Sequence, residues 1–153
     1  MKTNAGWSDI PGLRGLKRPA VGPFVVFQIA QKGEPQVSLL LLPDGLFSII
    51  GAAPKVDDRV ALALGRVACR HVRRAPPLEV AGGPAGANEE RWISWGTERR
   101  LAKSCTVTGD QCSAQVYLLC DDEMPISTVR FSLRQPDDKL LTSVARQLLA
   151  WHA

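Results

Sequence analysis

The chain predicts a single two-layer α+β domain, an antiparallel sheet of six to eight strands with two helices on one face. Three observations predict it. Short β-rich runs recur from Phe24 to Leu133 with turn residues between them. Two stretches alone, one opening at Asp57-Asp58 and one at Asp137-Asp138, carry an apolar period near 3.6 residues. Two amphipathic helices supply one covering layer and no more, so the second sheet face is expected to stay open.

Taken in order, residues 1–22 hold Gly6, Pro11, Gly12, Gly15, Pro19 and Gly22 among basic side chains, a spacing that interrupts any helix or strand and reads as a basic arm. Trp7 is its large apolar group, expected to pack back on the body. Residues 23–153 form the domain. Phe24 to Ala30 is a first strand, Lys32-Gly33-Glu34-Pro35 a turn, and Val37 to Leu42 a second strand whose unbroken leucines predict burial on both faces. Leu46 to Ala52 follows as a third. A helix from about Val56 to Val72 turns Val60, Leu64, Val67 and Ala68 inward. Leu78 to Ala81 begins a strand, and Glu89 to Trp95 another, with Trp92 and Trp95 an odd interval apart and so on opposite faces. Leu101 to Val107 and Cys112 to Cys120 make a hairpin around Thr108-Gly109-Asp110. After the acidic turn Asp121-Asp122-Glu123-Met124-Pro125, Ile126 to Leu133 is a strand that leads into the last helix. There Pro136 and two acids suit a first helical turn, and Leu140, Leu141, Val144, Ala145, Leu148 and Trp151 share one side.

This final strand–strand–helix unit has an earlier counterpart. Gln36–Leu42, Pro43-Asp44-Gly45, Leu46–Ala53 and the run opened by Asp57-Asp58-Arg59 repeat its order. Aligned on the aspartate pairs, Val60 matches Leu140, Leu64 matches Val144, Arg66 matches Arg146 and Ala68 matches Leu148, which predicts an internal duplication.

A chain of 153 residues suffices for one core that buries roughly 68–70% of the unfolded surface without a staple. Composition is 45% hydrophobic and 22% charged, ordinary for a globular protein. The wealth of Ala, Arg, Leu, Pro and Gly suggests a bacterial source. No apolar run reaches the ~18 residues of a membrane span, and the start lacks a secretory apolar stretch, so a cytoplasmic address is expected. A net charge of +4 favours acidic partners and admits nucleic acid.

Chemical signatures are sparse. The four cysteines, Cys69, Cys105, Cys112 and Cys120, lie 36, 7 and 8 residues apart, unlike the close pairs of structural zinc sites, so neither metal nor cofactor is expected. Cys105 and Cys112 would face each other across a two-residue loop and come within disulfide reach; without export, reduced thiols are the expectation. His71 and His152 each fall in a last helical turn, where imidazole is expected to satisfy terminal carbonyls. No phosphate loop, dinucleotide fingerprint or nucleophile elbow occurs, and no catalytic residue is assigned; a thiol enzyme on Cys69 and His71 would need an activated thiolate. Asp121-Asp122-Glu123 reads as a solvated turn. Arg59, Arg66, Arg70 and Arg73 recur at intervals of seven, four and three, which stacks them in one helical stripe suited to solvent or to a phosphate backbone.

The order of three strands, helix, four or five strands, helix, together with Leu78-Glu79-Val80-Ala81-Gly82-Gly83-Pro84-Ala85 and Arg91-Trp92-Ile93-Ser94-Trp95, resembles the PsbP- and DcrB-like α+β domains. Some of those act as bacterial secretion chaperones that cradle apolar segments. Because two helices cannot cover so many strands, and in keeping with that resemblance, a non-enzymatic protein-binding adaptor or chaperone-like module is expected. On the open sheet face Trp92 or Trp95, Phe27 and Tyr117 would contact the partner. The alternative is a nucleic-acid-binding regulator that uses Arg59, Arg66, Arg70 and Arg73. An exposed edge strand would also permit a homodimer.

Overall fold

The computed structural model describes residues 2–4, 24–75, 78–80, 89–95, 98–119 and 125–152. Lys32 and Gly33 both adopt positive φ, 53° and 82°, the two-residue turn that matches the twist of paired strands. It joins β2 (Phe24–Gln31) to β3 (Glu34–Leu41). A 3₁₀ turn at Pro43–Gly45 leads to β4 (Phe47–Ala52) and then to α1 (Asp58–Arg73). The second half runs β5 (Glu79–Val80), β6 (Glu90–Trp95), β7 (Glu98–Thr108), β8 (Ser113–Leu119), β9 (Ser127–Phe131) and α2 (Asp138–His152).

All these strands, with β1 (Lys2–Asn4), belong to one antiparallel sheet of order β1-β2-β3-β4-β9-β8-β7-β6-β5. The α+β class and the two helices on one sheet face are as the sequence predicts. Among the described residues the count reaches nine because β1, a piece of three residues, adds an edge strand, while the two-residue β5 at the other edge falls within the strand expected from Leu78. β1 lies within the segment read as a free arm, paired with β2 through Lys2 opposite Val26. The rest of that arm, with Trp7, lies outside the described residues, as do Cys120 and the acidic turn 121–124.

The sheet halves are related. β2-β3-β4-α1 and β7-β8-β9-α2 have the same order, and the two meet at a single β4–β9 pair, Phe47 opposite Ser127. Phe47 and Ser127 are also each other's equivalents in the aspartate alignment. Leu39, which lies opposite Phe27 on one side and Ile49 on the other, has its counterpart in Val116, which lies opposite Cys105 and Val129. The helices repeat the relation more fully. Asp57 Oδ1 accepts from Val60 N at 2.9 Å and Asp137 Oδ1 from Leu140 N at 2.7 Å, two N-caps in equivalent places. That Val60 amide holds the Asp57 carboxyl below its ordinary range. Arg66 Nη2 then reaches Asp138 at 3.2 Å while Arg146 Nη2 reaches Asp58 at 2.7 Å. Each arginine pairs with the aspartate of the other unit, the reciprocal contact that a two-fold relation generates.

Between these ion pairs the helices touch at Gly65. A Cβ there would strike the Leu141 carbonyl oxygen and lie 2.8 Å from its carbon, so hydrogen at this position is what lets the backbones approach. Around the crossing, Val60, Ala61, Leu64, Ala68, Leu140, Val144, Ala145 and Leu148 pack on Val37, Leu39, Phe47, Ile49, Val116 and Val129 of the sheet. Leu39 and Leu40, neighbours pointing to opposite faces, are both fully buried, as the leucine run predicts.

Candidate functional site

The sheet face away from the helices carries a second, smaller set of buried apolar residues. Alternation and register put Tyr117, Leu119, Ala102 and Ile93 on it, and these pack together with Leu46, Leu78, Val80 and Ile126. Tyr117 is 1% exposed. Its phenol is pushed up by burial, against the opposing attraction of Arg130 and Arg91. Tyr117 is therefore a core residue and offers no contact to a partner. Phe27 is corrected as well: it pairs with Leu39 and packs into the helix-side core. The Trp95 side chain lies outside the described residues. Of the four aromatic residues singled out, Trp92 is the one found exposed.

Trp92 is 44% exposed and, with Leu133, is one of two large apolar side chains on the described surface. It stands on β6 opposite Leu101 of β7, on the helix side of the sheet but beyond the helices. α2 ends its cover of β7 near Cys105, whose Sγ lies 3.4 Å from Gln147 Oε1. The Arg99 guanidinium sits 4.7 Å from the Trp92 ring centroid, a cation–π contact. Lys103 and Glu90, opposite each other, complete this β6–β7 wing.

The arginine stripe is divided. Arg59, Arg66, Arg70 and Arg73 all point to solvent, but Arg66 is occupied by Asp138. Arg73 belongs to a different neighbourhood, a pocket of about 320 Å³ at the seam of the two halves. Because β4 and β9 share one pair, the rest of β9 lies beside the 3₁₀ turn and the end of α1. Thr128 Oγ1 donates to Gly45 O at 3.1 Å, and Arg130, Phe131, Leu133 and Arg134 line the pocket together with Asp44, Val72, Arg73 and Leu78. Asp44 itself adopts φ 63°, a left-handed conformation that aspartate tolerates better than most residues. Sequence reading missed this pocket, since its residues come from three separate stretches, and the Arg130…Arg134 spacing was its sole local signal.

The histidines and cysteines have structural work. His71 Nε2 donates to Leu42 O at 2.9 Å and Leu46 O at 2.8 Å, so it ties the helix end to the β3–β4 turn and not to its own terminal carbonyls as expected. Its ring also meets Phe47 edge-on, centroids 6.5 Å apart. His152 Nδ1 accepts from Ile49 N at 3.4 Å, which leaves Nε2–H to donate to Ser127 Oγ at 2.8 Å. In that tautomer the imidazole cannot take the serine proton, and Ser127 is fully buried, so the pair is no nucleophile and base. Burial lowers the His152 pKa to about 4. Cys69 is 5% exposed, and burial pushes its thiol up against the weaker pull of Arg73; with His71 engaged elsewhere, no thiolate is activated. Cys69, Cys105 and Cys112 are free. The β7–β8 loop spans 109–112, four residues and not two, so Cys105 faces Val116 and the proposed disulfide register does not arise.

Among the described residues no helix is long and apolar enough to cross a membrane. In comparisons with known proteins, no family model, no curated protein and no solved structure matches this chain.

Proposed function

We propose that the chain is a non-enzymatic adaptor that binds a protein partner, and that the partner docks on the β6–β7 wing through Trp92. The observation that carries this reading is a tryptophan left 44% exposed and braced by Arg99 at 4.7 Å. Tryptophan and arginine are the residue types most enriched among those that dominate binding energy at protein interfaces. Leu101 beside the indole, and the Arg99 cation over it, suit an apolar segment flanked by an acidic residue. Such a partner agrees with the apolar-segment chaperones among the PsbP- and DcrB-like domains that the element order resembles. The free thiols Cys69, Cys105 and Cys112 suit the reducing bacterial cytoplasm that we propose as its compartment.

Trp92→Ala removes the indole without touching the core, so the variant should keep its thermal midpoint and lose the partner by a factor of ten or more, roughly the effect of truncating a dominant interface residue. A variant that binds the partner as tightly as the parent refutes the assignment of the wing. A nucleic-acid role for Arg59, Arg66, Arg70 and Arg73 is weakened by the Arg66–Asp138 pair, which cancels one charge of the stripe.

A further inference from the structure

We infer that the seam pocket is a binding site for a small phosphomonoester with an apolar body. Arg73, Arg130 and Arg134 line it and Asp44 is the one acidic residue among its lining, a balance of +2. On other parts of this surface Arg66, Arg91 and Arg146 are matched with carboxylates. Among the described residues none of the three pocket arginines has an ion-pair partner. Three arginines against one carboxylate leave the lining with an excess of positive charge, which an anion offsets.

The charge selects the ligand class. A phosphomonoester carries close to two negative charges at neutral pH and three oxygens that guanidinium forks can grip in pairs. A carboxylate would leave half the excess charge unmet. The walls select its body. Val72, Leu78, Phe131 and Leu133 offer apolar surface beside the arginines, and about 320 Å³ is at the lower end of small-ligand sites, larger than an inorganic phosphate needs. Position adds a further argument: beyond Ser127 no described strand pairs with the β4-side edge of β9, so main-chain groups of that edge border the pocket. None of these residues lies on the β6–β7 wing, so this site and the protein-docking surface stand or fall separately.

The test is calorimetric titration of the full chain with phenyl phosphate, inorganic phosphate and benzoate. Phenyl phosphate should bind at least about tenfold more tightly than either fragment, because it alone meets both the charge and the apolar wall. Arg130→Gln and Arg134→Gln should each weaken it about tenfold. Asp44→Asn, in which asparagine also accepts the left-handed backbone, should tighten binding by removing the one repelling charge. Arg59→Gln, on the far end of α1, should leave it unchanged. Absence of phenyl phosphate binding at millimolar concentration would overturn the inference, as would equal affinity for benzoate or affinity that ignores Arg130 and Arg134. Tighter binding of a single-stranded oligonucleotide than of phenyl phosphate, lost with the same arginines, would overturn it in favour of a nucleic-acid backbone.

Discussion

Replacing Gly65 by alanine tests how the two helices are held together. In an isolated helix this change is favourable by about 1 kcal/mol, because glycine carries excess backbone entropy in the unfolded chain. Here the added methyl meets α2 directly: its carbon would overlap the Leu141 carbonyl oxygen, with the carbonyl carbon at 2.8 Å and Leu141 Cβ at 3.0 Å. A flexible side chain could rotate away from such contact, but a carbonyl fixed in a helical hydrogen bond cannot. The helices must separate, loosening the contacts of Leu64 and Ala68 with Leu140 and Val144 and stretching both reciprocal ion pairs. Overpacking of this kind costs roughly 1–3 kcal/mol in general, and displacement of two main chains belongs at or above the upper end. Net of the propensity gain, Gly65→Ala should destabilise by about 2 kcal/mol, a fall in midpoint of about 4–8 °C for a chain of this length. Urea denaturation followed by far-ultraviolet circular dichroism reads this directly, and Gly65→Ser should lose more. A midpoint equal to or above that of the parent would show that the helices do not meet at Gly65.

Three further expectations follow from the same contacts. The His152 pKa of about 4 when folded lies below the ordinary 6.5, so the unfolded chain binds the extra proton first and stability falls as pH drops through that window. The loss should be about 2 kcal/mol between pH 7.5 and pH 5, measurable by urea titration at each pH and absent in His152→Gln; a parent whose stability is flat over that range contradicts the buried neutral ring. Asp57→Ala and Asp137→Ala should each lower the urea midpoint through loss of an N-cap, with nearly equal effects because the two caps are equivalent. Arg66→Ala should change stability by less than about 1 kcal/mol, since its ion pair is well exposed. Arg146→Ala should cost more than Arg66→Ala, because Arg146 also donates to the Val56 carbonyl at 2.6 Å.

The fold was legible where periodicity and end signals agree. Asp57 and Asp137 announce both helices, and the leucines of β3 announce a strand buried on both sides. The repeated order of elements was legible from the aspartate pairs, but its reciprocal Arg66–Asp138 and Arg146–Asp58 contacts were not, since partners 72 and 88 residues apart leave no local trace. The surface was read less well. Tyr117 is aromatic and sits in a regular strand, yet its burial in a cluster against which Leu46, Leu78, Val80 and Ile126 pack is a tertiary event that alternation cannot foretell. Cys105 and Cys112 failed through loop length: four residues in place of two shift the register and move the thiols apart. The seam pocket needs β4 and β9 to meet at one pair and then part, a fact of topology with no sequence motif.

The protein-partner function is tested most directly by capturing tagged full-length chain with its ligands from native lysate, split with and without nuclease, beside the Trp92→Ala variant. A protein recovered in stoichiometric amount, resistant to nuclease and missing from the variant, is the predicted result. Recovery of nucleic acid that is lost at moderate salt and retained by Trp92→Ala would contradict it, and would move the function to the arginines of α1 and the seam.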